Sequence, residues 1–236
     1  MIFLANLQTE STRQRWRSSS AIVNQEIVIK ADIIKEIDTI AILGHNLTDD
    51  AIILIQANTV NDWTIPPVNL SATVDPETEN IIVCNDGLGA AYEFLKITII
   101  DPANPCGYVE IGRIVAGMAL TLTKDEDITD NISINSEDLS EKMQTFGYFR
   151  QSNENIIARS FSCSFEKLST KVDENENYKN LKKFIKYVKT VMPFIVIVDR
   201  GDPNFFNMHC QLNKLPSYSY TINGYVSFGL DMEEQF

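Results

Sequence analysis

Short apolar runs broken by polar clusters dominate the first half of the chain. They cover Glu26–Ala31, Thr39–Leu43, Ala51–Gln56, Asn80–Cys84, Phe94–Ile100 and Tyr108–Gly117, are rich in Ile and Val, and are separated by Asn, Asp, Gly and Pro. Runs of this kind at regular intervals predict a β-sandwich or jelly roll. Across Tyr108–Arg113 the residues alternate, with Tyr108, Glu110 and Gly112 on one strand face and Val109, Ile111 and Arg113 on the other. That suits a sheet covered on one side, with Arg113 the exception among the apolar positions. The apolar start MIFLANLQTEST predicts a further strand and not a signal peptide, because no basic segment precedes it.

The pattern then changes. From Lys124 to Glu141 acidic residues dominate, and a packed sheet is not expected there; residues 124–156 read as an acidic linker or surface excursion. Ile156–Leu168 returns to strand alternation through Phe161, Cys163 and Phe165. In Glu176–Met192 the apolar residues Tyr178, Leu181, Phe184, Ile185, Val188 and Met192 recur at helical steps. Lys179, Lys182, Lys183, Lys186 and Lys189 fill the remaining faces and read as its solvent side. Asp173 and Glu174 suit the start of the helix dipole, and Pro193 stops it. Strands at Phe194–Val198, Phe206–Lys214 and Tyr218–Met232 close the chain. The fold class is therefore mainly β: an N-terminal β-sandwich at 1–123, the linker at 124–156, and a smaller α+β domain with one helix at 157–236.

Composition narrows the function. The chain has 236 residues and a net charge of −12, the wrong sign for a general nucleic-acid binder, whose affinity comes from Lys and Arg neutralising phosphate. No apolar run approaches the ~20 residues of a membrane span, so no membrane insertion is expected. Cys84, Cys106, Cys163 and Cys210 lack paired spacing and read as buried or half-buried free thiols.

Two phrases carry a resemblance: the corner Gly44-His-Asn-Leu, and Glu110-Ile-Gly-Arg with Gly117 at the end of the same strand. They are followed by an α+β unit whose last strand, Tyr225-Val-Ser-Phe-Gly-Leu-Asp-Met-Glu-Glu, is aromatic and acidic. In this order the chain resembles a family of tailed-bacteriophage tail proteins with a galactose-binding-like jelly roll. The resemblance implies a virion structural protein of the tail (tail tip, baseplate or adaptor), made in the host bacterial cytoplasm. Its partners would be copies of itself and other phage tail proteins. The alternative is a carbohydrate-binding module recognising a host-surface glycan.

Candidate residues are few. Arg13, Arg15, Trp16 and Arg17 form a basic, aromatic arm in an acidic chain and are the candidate assembly interface; the acidic linker of a neighbouring copy is its expected counterpart. Trp63, before Pro66-Pro67, is the candidate glycan contact, a sandwich-core position being the competing reading. His45 reads as a solvated corner residue. Asp49-Asp50 and Asp125-Glu126-Asp127 read as solvated acids, with a structural Ca²⁺ as the alternative, since neither has calcium-ligand spacing. No nucleotide, hydrolase or zinc motif is present, so neither an enzyme nor a cofactor is expected.

Overall fold

A computed structural model describes residues 15–74, 80–84, 91–120, 133–138, 142–144, 150–152, 157–169, 176–203, 206–221 and 224–235. The strand expected at the N-terminus and the acids at 125–130 lie outside them. The described residues are mainly β, in several antiparallel sheets, with one helix. By contacts the chain forms two compact units: Met1–Ala119 with Val196–Met208, and Leu120–Ile195 with His209–Gln235.

Unit 1 is built by strand alternation. Its strands are β1 (Trp16–Arg17), β2 (Gln25–Glu36), β3 (Thr39–His45), β4 (Ile52–Asn58), β5 (Val68–Ala72), β6 (Asn80–Cys84), β7 (Ala91–Ile100) and β8 (Glu110–Gly117). Along β4, Ile53, Ile55 and Ala57 point inward, and along β7 Leu95, Ile97 and Ile99 do the same. In β3 every residue from Ile40 to Gly44 is buried, as its unbroken apolar run requires. Two four-stranded sheets result, ordered β1-β8-β3-β6 and β2-β7-β4-β5, and both supply side chains to one core. The largest fully buried side chains are all Ile or Leu, each contributing about 1.5–3 kcal/mol. The sequence reading missed β5, whose Val-Asn-Leu-Ser-Ala is too short and polar to stand out. Gly112 makes no bulge, because β3 and β8 keep one register from Thr39↔Gly117 to His45↔Ile111. Residues from late in the chain complete unit 1: Arg200 Nη2 donates to Asp38 Oδ2 at 3.2 Å, and Asn80 Nδ2 to Asn207 Oδ1 at 3.2 Å.

In unit 2 the segments are β9 (Ser133–Asp138), β10 (Lys142–Gln144), β11 (Arg150–Ser152), β12 (Ile157–Ser169), α1 (Glu176–Val188), β13 (Phe194–Ile197), β14 (Asn207–Leu212), β15 (Ser219–Thr221) and β16 (Tyr225–Glu234), although β13 and β14 run partly into unit 1. The sheet order is β13-β14-β16-β12-β9, with β15 also paired to β16. Thus the stretch expected to be a linker contributes an edge strand, β9, whose residues Ser133–Glu137 are all exposed. The segment read as one strand, Tyr218–Met232, is a hairpin that turns at Gly224, φ 77°. One face of β12 and β16 is apolar in register: Phe161 opposes Met232, Cys163 opposes Leu230, and Phe165 stacks on Phe228 at 5.2 Å. Leu181, Ile185 and Val188 of α1 are buried. The Tyr178 hydroxyl meets that of Tyr220, opposite Val226 of the same apolar row, at 3.5 Å, so α1 covers this face. Its end comes at Lys189 (φ 51°), a left-handed residue after which Met192 N–H caps the Val188 carbonyl at 3.0 Å.

Candidate functional site

The two phrases of the resemblance meet at one corner of unit 1. Gly44, the next-to-last residue of β3, adopts φ 61°, a left-handed conformation that suits glycine. Asn46 then clasps β8: its Nδ2 donates to the Tyr108 carbonyl at 2.9 Å and its Oδ1 accepts from Glu110 N–H at 2.7 Å. A second set of bonds ties the same corner to the end of β7. The carboxylate of Asp101, 1% exposed, accepts from Thr48 N–H (3.1 Å), Thr48 Oγ1 (2.6 Å) and Asn104 Nδ2 (2.8 Å). Asn104 Nδ2 also donates to the Asn46 carbonyl at 2.9 Å.

The arm joins this corner as β1, pairing Trp16 with Ile111 and Arg17 with Glu110. Alternation splits it. Trp16 is 6% exposed and lies in the core with Val109 and Ile111, so it is not the surface anchor the sequence suggested. Arg15 and Arg17 point outward and share one acid of their own chain: Arg15 Nη1 sits 3.2 Å from Glu110 Oε1, and Arg17 Nη2 2.7 Å from Oε2. The Arg17 guanidinium also lies 4.1 Å from the Tyr108 ring centroid. Expecting the linker of another copy as counterpart overlooked Glu110, which strand pairing delivers from 93 residues away. Arg13 lies outside the described residues.

His45 is not a solvated residue. Its Nδ1 accepts from Leu47 N–H at 3.2 Å, while Nε2 is buried without a partner among the described residues. Burial, and then the Arg15 guanidinium, lower its pKa to about 4, against an opposing pull from Asp101. The ring is therefore neutral in the folded protein. As pH falls from 6.5 toward 4 the unfolded chain takes up a proton that the folded chain refuses, so stability is lost on acidification, by about 3 kcal/mol in full. In His45→Asn the amide oxygen can take over the Leu47 bond without titrating. Urea unfolding should show wild type losing ground to this variant between about pH 6.5 and pH 4; a pH-independent gap would contradict it.

Trp63 follows β4 and is half-buried; its indole N–H donates to Asn61 Oδ1 at 2.9 Å and Lys96 Nζ stands 5.5 Å from its ring centroid. Asp49 and Asp50 are exposed at the turn between β3 and β4. Among the described residues, no three His, Cys, Asp or Glu side chains form a group able to hold a metal ion. All four cysteines are free; Cys106 is exposed, Cys84 half-buried, and Cys163 and Cys210 buried. Burial pushes the Cys163 thiol up to about 12, which removes its thiolate reactivity. Among the described residues no helix is long and apolar enough to cross a membrane. Sequence reasoning also missed a cluster of Tyr178, Tyr218 and Tyr220 in unit 2, whose members come from α1 and from the hairpin read as a single strand.

No protein-family model matches the chain, and no curated protein does. Among solved structures it is similar to a chain from the tail of an empty gene transfer agent particle with C6 symmetry, at 18% identity and TM-score 0.30, over 47% of this chain and 78% of that one. It is also similar to a chain from the virion of a native gene transfer agent particle, at 18% identity and TM-score 0.31, over 50% and 88%. Similarity at this level assigns neither family nor role.

Proposed function

We propose that the chain is a non-enzymatic structural protein of a phage-like virion tail, built on a jelly roll and acting by protein–protein assembly at the tail tip, baseplate or an adaptor. The observation that carries this reading is the corner clasp. The two phrases that make the chain resemble tail proteins, separated in sequence, are bonded to each other through Asn46, Tyr108 and Glu110, so they act as one structural unit. The strand order β1-β8-β3-β6 against β2-β7-β4-β5 supports the jelly roll, since it is the order produced by folding two Greek keys of eight strands together. A role in shape rather than chemistry fits the polar groups of the corner. Asp101 is engaged by Thr48 and Asn104, Glu110 by Arg15 and Arg17, and His45 is half-buried and neutral. Trp63 gives no comparable support to glycan recognition, because its ring is half-buried beneath Lys96.

The test is native mass by light scattering for the chain alone and co-expressed with the products of adjacent genes. A ring-sized oligomer or a stable hetero-complex is the expected result. A strict monomer that joins none of them would overturn the reading, and a glycan array would follow.

A further inference from the structure

The two outward surfaces of unit 2 differ in charge. On one side α1 exposes Lys179, Lys182, Lys183, Lys186 and, just past its end, Lys189. None of the five is in an ion pair with a described residue; Lys182 only overlies the Tyr178 ring at 5.7 Å. Tyr187 and Val191, 69% and 65% exposed, add apolar area to the same region. On the other side lies the sheet face away from the row α1 covers, reached by the segment after α1 only where Gln211, in register with Glu233, donates to the Thr190 carbonyl. There Ser160 opposes both Asn135 and Glu233, Ser162 opposes Ser133 and Asp231, and Ala158 opposes Glu137. Glu137 and Glu233 are exposed, and Asp231 pairs with Lys214 at 2.8 Å.

The rest of the chain sharpens the contrast. It carries 20 basic and 32 acidic residues; setting the five lysines aside leaves 15 against 32, a net −17. A second copy of this chain is therefore an anionic partner for the lysine face at long range, and its hydroxyl- and carboxylate-bearing sheet face is a complementary surface at short range.

We propose that copies of this chain stack head to tail through unit 2, the lysine face of α1 in one copy docking on the Glu137–Asp231–Glu233 sheet face of the next. The contact joins two different surfaces, so it propagates into a ring or a tube and not a closed dimer. It rests on the assembly reading above and supplies the self-contact that reading needs.

Light scattering on the full chain tests it with two charge-reversed variants, K182E/K183E/K186E on the helix and E137K/E233K on the sheet. Wild type should associate at low ionic strength and lose about tenfold or more in affinity at high salt. Each variant alone should be monomeric with an unchanged unfolding midpoint, and mixing the two should restore association, because the intact helix of the sheet variant meets the intact sheet of the helix variant and the two reversed faces pair in turn. Should the glutamates disturb folding, K182Q/K183Q/K186Q gives the same loss of association on its own, and mixed with E137K/E233K it should form a one-to-one pair and no longer stack. A helix variant that associates like wild type, or a mixture that stays monomeric, would overturn the stacking. So would a monomeric wild type whose lysines instead retain a DNA duplex. If wild type is monomeric yet captured by products of adjacent genes, the stacking fails while the assembly reading stands; if neither occurs, both fail.

Discussion

Trp16→Ala is expected to lower the unfolding free energy by about 3–5 kcal/mol, the range for truncating a large aromatic in a packed core. The indole is 6% exposed and belongs to the cluster that both sheets of unit 1 share. β1 has only two residues, fastened by the ladder to β8, by the Arg15 and Arg17 pairs with Glu110, whose arginines are 40% and 58% exposed, and by the bonds of Ser18 to Val109 and of Ala21 to Gly107 just after it. Exposed pairs of that kind contribute about 0–1 kcal/mol each, and none of these contacts replaces the apolar area lost with the ring. Arg17→Ala should therefore cost less than about 1 kcal/mol. Urea unfolding of both variants decides the matter, and a tryptophan variant as stable as the arginine variant would place the indole outside the core. Against a typical domain stability of about 5–15 kcal/mol, the expected loss reduces the folded population substantially. Poor assembly by this variant would thus report instability and not a lost interface.

Asp101→Ala should cost about 3 kcal/mol or more. The carboxylate is 1% exposed and satisfies three donors from two residues. Hydrogen bonds to a charged group are worth about 1.5–3 kcal/mol each, and removal leaves buried donors unpaired. Asp101→Asn keeps the shape but turns one acceptor into a donor that faces Thr48 or Asn104, so it should fall between alanine and wild type. Denaturant midpoints measure this. Hydrogen exchange should also show faster opening at Thr48, whose amide loses its acceptor. An alanine variant of wild-type stability would mean that the corner is held by Asn46 alone.

How far these sites were legible depends on the range of the forces that make them. The alternation through Val109 and Ile111, the apolar run of β3, and the helical spacing of Leu181, Ile185 and Val188 are local, and the elements formed where they point. The Gly44 corner, quoted in the resemblance, is likewise local, since backbone conformation is set by a few neighbouring residues. The Arg-Trp-Arg arm was misjudged because its meaning lies in pairing. Alone it is a charged segment with an aromatic anchor; against β8 the same period-two geometry buries Trp16 and aims both arginines at Glu110. His45 was misjudged for a related reason, as burial by distant segments sets its charge state and no neighbour in sequence announces it.

The class of the fold, mainly β with one helix, and the acidic balance were legible in the unfolded chain. Periodicity and composition are properties of the chain before it folds. Which strands became neighbours, the return of residues 196–208 to the first unit, and the closing of one corner by the two resemblance phrases were set by folding. The folded chain also gathered Glu137, Asp231 and Glu233 on the face of the second unit's sheet away from the Phe161–Met232 row. Each of these depends on contacts between residues far apart in sequence, where register and burial choose the partner and local pattern carries no information about it.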